Sequence, residues 1–295
     1  MMSDPVQELK DFKPQKEFFV GIDSDGCAFD SMEIKHKECF CPQFIYHFGL
    51  QSVSKYAREV WEFVNLYSKN RGCNRFMAIQ YATELLAARK EVKDRHADVP
   101  VLKDLADWCK RETKLGNPAF LAEVERKPSD EMKMIRDWSL GVNETIAWFV
   151  KNVPPYPLVE ESLKKMTEKA DALVVSQTPT EALEREWGEH GINKYVRMIA
   201  GQERGTKTEH IKFAAGGKYP AEKILMIGDA PGDYKAAKSN DALFFPINPG
   251  HEEASWERLY SEGLDRFFAG TFAGRYQEEL LKEFDQYLPE KPDWQ

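Results

Sequence analysis

Cysteine is scarce: the chain has 5 in 295 residues, an odd number without the spacing of a disulfide framework. That excludes a small disulfide-stapled fold and fits a reducing compartment, the cytoplasm. Long apolar runs are missing as well. No segment approaches the ~20 apolar residues of a membrane-spanning helix, so no membrane partner is expected. The opening stretch "MMSDPVQELKDFKPQKE" has neither a basic n-region nor an apolar h-region and reads as a polar arm rather than a signal peptide. Cations are in deficit too, with 41 Lys and Arg against 49 Asp and Glu and a formal net charge of -8. Phosphate backbones are gripped by clustered Lys and Arg, so no nucleic-acid partner is expected either. An anionic ligand must therefore be met locally.

What is present is a globular composition, 42% hydrophobic and 31% charged, on a chain long enough to bury a large core. Five short β-rich segments stand out: "FFVGI" (18–22), "ALVVS" (172–176), "VRMIA" (196–200), "ILMIG" (224–228) and "ALFFPI" (242–247). They do not alternate apolar with polar, as expected of strands covered on both faces. Helical stretches separate the last four: "PTEALEREWGEH", "TKTEHIKFAAGG" and "PGDYKAAKSN". Strand alternating with helix predicts an α/β fold with a Rossmann-like parallel sheet.

Between residues 31 and 153 the pattern is helical only. Tyr56, Val60, Phe63 and Tyr67 follow i, i+4, i+7, i+11, and Leu102, Leu105, Trp108 and Cys109 make a second apolar face. Pro154 and Pro155 in "NVPPYP" forbid helix continuation and mark the return to the sheet. The expected organisation is a sheet domain, 1–30 and 154–295, with an all-helical domain, 31–153, inserted after the first strand.

The chemistry-bearing residues gather where strands end. Asp23 and Asp25 follow the first strand in "FFVGIDSDG". Open α/β sheets build their sites at such strand ends. Two carboxylates this close call for a shared proton or a cation, and a hard ion such as Mg²⁺ suits both. The competing reading is a plain Asp-Gly turn. Asp229 and Asp233 end another strand in "ILMIGDAPGDY", and Asp233 has the alternative of serving the N-terminus of the following helix. In "VVSQTPTEALE", Ser176 ends a strand, Thr178 is placed as N-cap, Pro179 as first helical residue and Glu181 as partner in a capping box. Helix-start amides with the Ser176 hydroxyl would make an anion site. In "RGTKTEHIKFAA", Thr206 and Glu209 have capping-box spacing, which puts Lys207 in the first turn of its helix. Lys207 is therefore preferred to Lys212 as the cation that holds a phosphate; the alternative for either is a solvated surface lysine.

Asp-x-Asp-Gly after the first strand, Ser after the second, Lys before the fourth and Gly-Asp-x-x-x-Asp after the fourth resemble, in that order, the four motifs of the haloacid dehalogenase superfamily. The inserted helical domain is similar in placement to the type-one cap of that superfamily. The resemblance implies a phosphatase that forms an aspartyl-phosphate on Asp23, with Asp25 as general acid and base and Ser176 and Lys207 holding the transferring oxygens. Mg²⁺ would be held by Asp23, the Asp25 backbone carbonyl and Asp229, with Asp233 behind them or acting through water. Members that displace halide or cleave phosphonates lack the second acid, so Asp25 favours phosphate esters. The expected substrate is a small phosphorylated metabolite. The alternatives are a phosphotransferase or sugar-phosphate mutase using the same residues, and a non-catalytic binding or regulatory protein.

Gln177, beside Ser176, is a candidate substrate-binding residue. In the helical domain, Arg71 and Arg75 of "NRGCNRF" suit a distal carboxylate or second phosphate, although surface ion pairs account for them at least as well. His36, Cys39 and Cys41 of "HKECFC" have no nearby fourth ligand in the sequence and are expected to pack rather than to bind metal.

Overall fold

The first strand explains the whole sheet. In the computed structural model, which describes residues 4–295, β1 spans Phe18–Ile22 and every residue in it is buried. Its side chains divide between two cores. Phe18, Val20 and Ile22 join Trp187 and Trp256 on one face, while Phe19 joins Phe12 and Tyr219 on the other. Each large side chain so buried contributes about 1.5–3 kcal/mol. A strand covered on both faces has no polar side to show, which is why the sequence lacks alternation there.

The remaining strands are β2 (Ala170–Val175), β3 (Met198–Ala200), β4 (Ile224–Gly228) and β5 (Leu243–Pro246). All pair in parallel, in the order β3-β2-β1-β4-β5. β1 thus lies between β2 and β4, with Ile22 opposite Val174 on one side and Ile227 on the other. The fold is α/β with a parallel sheet, as the strand pattern predicts. After β3 the chain crosses to the far side of β1, so the switch in strand order falls between β1 and β4. Ligands in open α/β sheets bind at such a switch point, beyond the carboxyl ends of the strands.

The chain divides into two compact units. One comprises the residues up to Ser31 together with Asn152–Leu288; the other is Met32–Lys151 together with Pro289–Gln295. The second unit is helical, built from Cys41–His47, Ser54–Asn65, Arg75–Ala88, Lys103–Arg111, Asn117–Arg126 and Asp130–Phe149 with shorter pieces. Its core is aromatic. Phe76 stacks on Phe120 at 4.6 Å between ring centres, and Trp108 meets both edge-on. The segment Lys35–Phe40 is a π-helix in which His36 stacks on Phe40 at 4.8 Å and Cys39 is buried, while Cys41 is buried just beyond it. These residues pack, as expected.

The boundaries near residues 31 and 152 shift by one or two residues from the sequence reading, and the larger difference is at the end, where that reading gives residues 289–295 to the sheet domain. They group with the helices because Trp294 lies 4.5 Å over the Arg89 guanidinium and meets Phe63 edge-on at 5.7 Å, while the Lys69 N–H donates to the Pro289 carbonyl. Nothing in "PEKPDWQ" is periodic, so only the tertiary contact assigns it.

Candidate active site

β1 hands the chain directly to Asp23, whose N–H still donates to the Ile227 carbonyl at 3.0 Å. The backbone then folds sharply. The N–H groups of Cys27, Ala28 and Phe29 all point at the Ser24 carbonyl, and Gly26 sits at a φ of 74°, which favours glycine. The Asp-Gly turn is therefore real, and it carries two carboxylates at a strand end.

Asp23 is only 4% exposed. Its Oδ1 accepts from the Ser24 N–H at 2.8 Å and its Oδ2 from Lys207 Nζ at 2.7 Å. The same ammonium donates to Asp233 Oδ1 at 2.6 Å. Asp229 follows β4 and is buried. Asp233 lies in the first turn of the helix Pro231–Lys238, where its Oδ2 accepts from the Ala230 N–H at 3.1 Å. The helix-terminus reading of Asp233 and the reading as a site acid thus hold together: one oxygen serves each. Gly228 makes this possible, because a Cβ there would lie 2.4 Å from the Asp233 Cβ and Cγ.

Oxygens of Asp23, Asp229 and Asp233 lie within 4.8 Å of one another. Burial pushes the Asp23 carboxyl well above its usual range; Lys207 works against that, and the neighbouring Asp233 and Asp229 charges reinforce it. Burial opposes the Lys207 charge, but Asp23, Asp233 and Asp229 outweigh it and hold the ammonium protonated far above its ordinary value. Three buried carboxyl groups thus gather around one ammonium. The donor set is all hard oxygen, which fits Mg²⁺ and not a soft metal.

Lys207 reaches this cluster because its helix, Lys207–Ala214, starts where the sequence places it: Thr206 Oγ1 accepts from the Glu209 N–H, and Glu209 Oε2 accepts from the Thr206 N–H at 2.8 Å. Lys212 is exposed on the same helix. Ser176 is buried at the end of β2, and its Oγ accepts from the Thr178 N–H at 3.2 Å. Gln177 Nε2 donates to the Gly205 carbonyl at 2.9 Å, tying the turn after β2 to the approach to Lys207. Asp25 is half-buried; its Oδ2 accepts from Thr178 Oγ1 at 2.8 Å and its Oδ1 from Ser31 Oγ.

The capping box expected at Thr178 and Glu181 does not form. The helix runs Thr180–Glu189 with Pro179 at its cap, and Glu203 Oε2 accepts from the Thr180 N–H at 3.0 Å and hydroxyl at 2.8 Å. A carboxylate from the β3 loop therefore occupies the first helical amide, and the Thr178 hydroxyl goes to Asp25. Thr178 and Ser31 are the site residues the sequence reading misses as partners of Asp25. The local pattern marks Thr178 only as a helix cap and does not mark Ser31 at all.

In the helical unit, Arg71 is 2% exposed and its Nη1 donates to the Leu66 carbonyl at 2.8 Å. Arg75 begins the helix Arg75–Ala88, donates to Asn143 Oδ1 at 2.8 Å and to Ser139 Oγ at 3.1 Å, and stacks 5.1 Å over the Phe40 ring. The partners named here, Leu66, Asn143, Ser139 and Phe40, all belong to the helical unit.

No protein-family model matches the chain, and no curated protein matches it. Solved structures match most of its length at low identity. A haloacid dehalogenase-like family hydrolase from Streptococcus pneumoniae is 12% identical, covering 83% of this chain and 90% of its own, with a TM-score of 0.42. A predicted phosphatase from Clostridium acetobutylicum is 16% identical over 79% of this chain and 85% of its own, at 0.42. A haloacid dehalogenase-superfamily hydrolase of subfamily IA from Geobacter sulfurreducens is 14% identical over 80% and 89%, at 0.40.

Proposed function

We propose that this protein is a Mg²⁺-dependent phosphatase that hydrolyses a small phosphorylated metabolite through an aspartyl-phosphate on Asp23. The observation that carries this reading is the convergence of Asp23, Asp229 and Asp233 within 4.8 Å, with Lys207 bridging Asp23 and Asp233. Asp23, Asp229, Asp233 and the Asp25 carbonyl are the residues that would hold Mg²⁺. The ion would supply positive charge between the carboxylates and the incoming phosphate and draw electrons from the phosphoryl oxygens.

The chain's own groups perform the rest. A carboxylate oxygen of Asp23 attacks phosphorus as the ester bond opposite it breaks, and Asp25 gives its proton to the departing oxygen. Asp25, now ionised, takes a proton from water as that water attacks phosphorus. The Asp23–phosphorus bond breaks, inorganic phosphate leaves and the carboxylate is restored. Thr178 and Ser31 fix the Asp25 carboxyl by its two oxygens. Lys207, in the first turn of its helix, and Ser176, just past β2, would hold the transferring oxygens. Among the described residues no helix is long and apolar enough to cross a membrane. The five unpaired cysteines suit the reducing cytoplasm, where we place the protein.

The test is turnover of p-nitrophenyl phosphate. Activity should require Mg²⁺, vanish with a chelator and vanish in Asp23→Asn. Metal-independent turnover, or an undiminished Asp23→Asn enzyme, overturns the reading. A panel of phosphorylated metabolites read for both free phosphate and isomerised product separates hydrolysis from mutase chemistry.

A further inference from the structure

The turn Ser24–Phe29 carries Asp25 and follows Asp23 directly, so its position sets both carboxylates. Two fully buried tryptophans from different elements aim their indole N–H groups into it. Trp187, on the helix Thr180–Glu189, donates to Ser24 Oγ at 2.9 Å. Trp256, on the helix Glu252–Arg258, donates to the Cys27 carbonyl at 2.7 Å. Ser24 Oγ passes the contact on, donating to Glu186 Oε2 at 3.1 Å. The Trp187 ring also meets Phe29 edge-on at 5.7 Å.

Packing alone does not require this arrangement. An indole N–H only donates, and buried without a partner it costs free energy. Here each finds its acceptor on one six-residue turn. Ser24 lies between Asp23 and Asp25 in sequence, yet its side chain turns to Trp187 and Glu186 while theirs turn to Lys207 and Thr178. The two indoles grip the turn at its start and at its middle, from elements that also pack β1.

We infer that Trp187 and Trp256 are positioning residues for the Asp23–Asp25 turn, holding its backbone so that nucleophile and proton donor keep their separation. The catalytic part of this inference rests on the proposed phosphatase reading. Its physical part, the order of the turn, does not.

The experiment compares Trp187→Phe, Trp256→Phe, Ser24→Ala and the double variant Trp187→Phe with Ser24→Ala. Phenylalanine keeps most of the ring and removes the N–H; Ser24→Ala removes the Trp187 acceptor with almost no change of volume. Backbone amide hydrogen exchange is read across residues 24–29 and across β1. Exchange at Cys27, Ala28 and Phe29 should accelerate by about tenfold or more while β1 is unchanged. On Mg²⁺-loaded enzyme, kcat for an alkyl phosphate should fall by about tenfold with KM unchanged, since small misplacements of reacting groups are costly. The double variant should lose no more than the worse single variant, because both remove one contact.

Unchanged exchange in the turn overturns the inference whatever the activity. Faster exchange with unchanged kcat overturns the catalytic part. An inactive wild-type enzyme with faster exchange in the variants sinks the phosphatase reading and leaves the positioning of the turn standing. If the tryptophan variants fail to fold, Ser24→Ala alone decides.

Discussion

Lys207 Nζ stands 2.7 Å from Asp23 Oδ2, deep enough that neither group is exposed to more than a fringe of solvent. The pair joins the helix after β3 to the end of β1.

Lys207→Met follows from that contact. It keeps the length of the side chain and removes the charge, leaving Asp23 and Asp233 facing each other without their shared donor. Breaking one side of a buried ion pair costs about 3–5 kcal/mol, so the metal-free unfolding midpoint should fall clearly. Mg²⁺ should recover much of the lost stability while activity stays down by about 10²-fold or more. Thermal melts with and without Mg²⁺, beside phosphate release, check both.

Asp229→Asn should act in two opposite directions. Without metal it relieves repulsion with Asp23 and Asp233, so the unfolding midpoint should rise or hold. With Mg²⁺ the wild-type protein should gain stability as the ion binds the folded state, about 2.7 kcal/mol at a hundred times Kd, and the variant should gain far less. Calorimetric scans at increasing Mg²⁺ read this directly. Equal gains in the two proteins would place the ion elsewhere.

Acid should loosen the opposite end of the sheet. Asp171, at the start of β2, accepts from the Gln15 N–H at 2.7 Å, the Lys16 N–H at 2.9 Å and the Tyr219 hydroxyl at 2.7 Å, and pairs with Arg197. Burial raises its pKa, but these donors together bring it below the usual carboxylate range. A depressed carboxyl contributes stability that is complete above its unfolded pKa of about 3.9 and is lost as pH falls through the lower folded value. Asp171→Asn should thus cost about 1–2 kcal/mol at neutral pH, a figure reduced for the partly solvated Arg197, and the deficit should shrink below about pH 4. Urea unfolding at several pH values measures it.

Arg75→Ala should weaken the helical unit. The guanidinium is committed to Asn143, Ser139 and the Phe40 face, so its loss should cost about 1.5–3 kcal/mol. Arg75→Lys should restore little, since an ammonium cannot reproduce the planar fork and the stack. A selective loss of kcat/KM for substrates with a second anionic group, at unchanged stability, would return Arg75 to the substrate role that the sequence suggests.

Much of this was legible in the sequence for a physical reason. Strands sealed on both faces must be apolar throughout, so β1 and β4 announce themselves to the residue. Thr206 and Glu209 are three residues apart, and their capping box needs nothing from elsewhere. Thr178 failed on the same rule because local caps are worth only about 1 kcal/mol, and distant carboxylates outbid them: Glu203 took the helix amide and Asp25 the hydroxyl. The roles of Trp187 and Trp256 carry no sequence signal, since a donor's direction is set by tertiary structure.

The tail that stacks Trp294 over Arg89 bears on how the protein can be dissected. The helical unit is contributed by two separate stretches of the gene, Met32–Lys151 and Pro289–Gln295. A fragment cut at 32–151 would leave Arg89 with Tyr56 on one face and water on the other, and would uncover the edge of Phe63. A faithful excision therefore rejoins residues 289–295 to the fragment through a flexible linker.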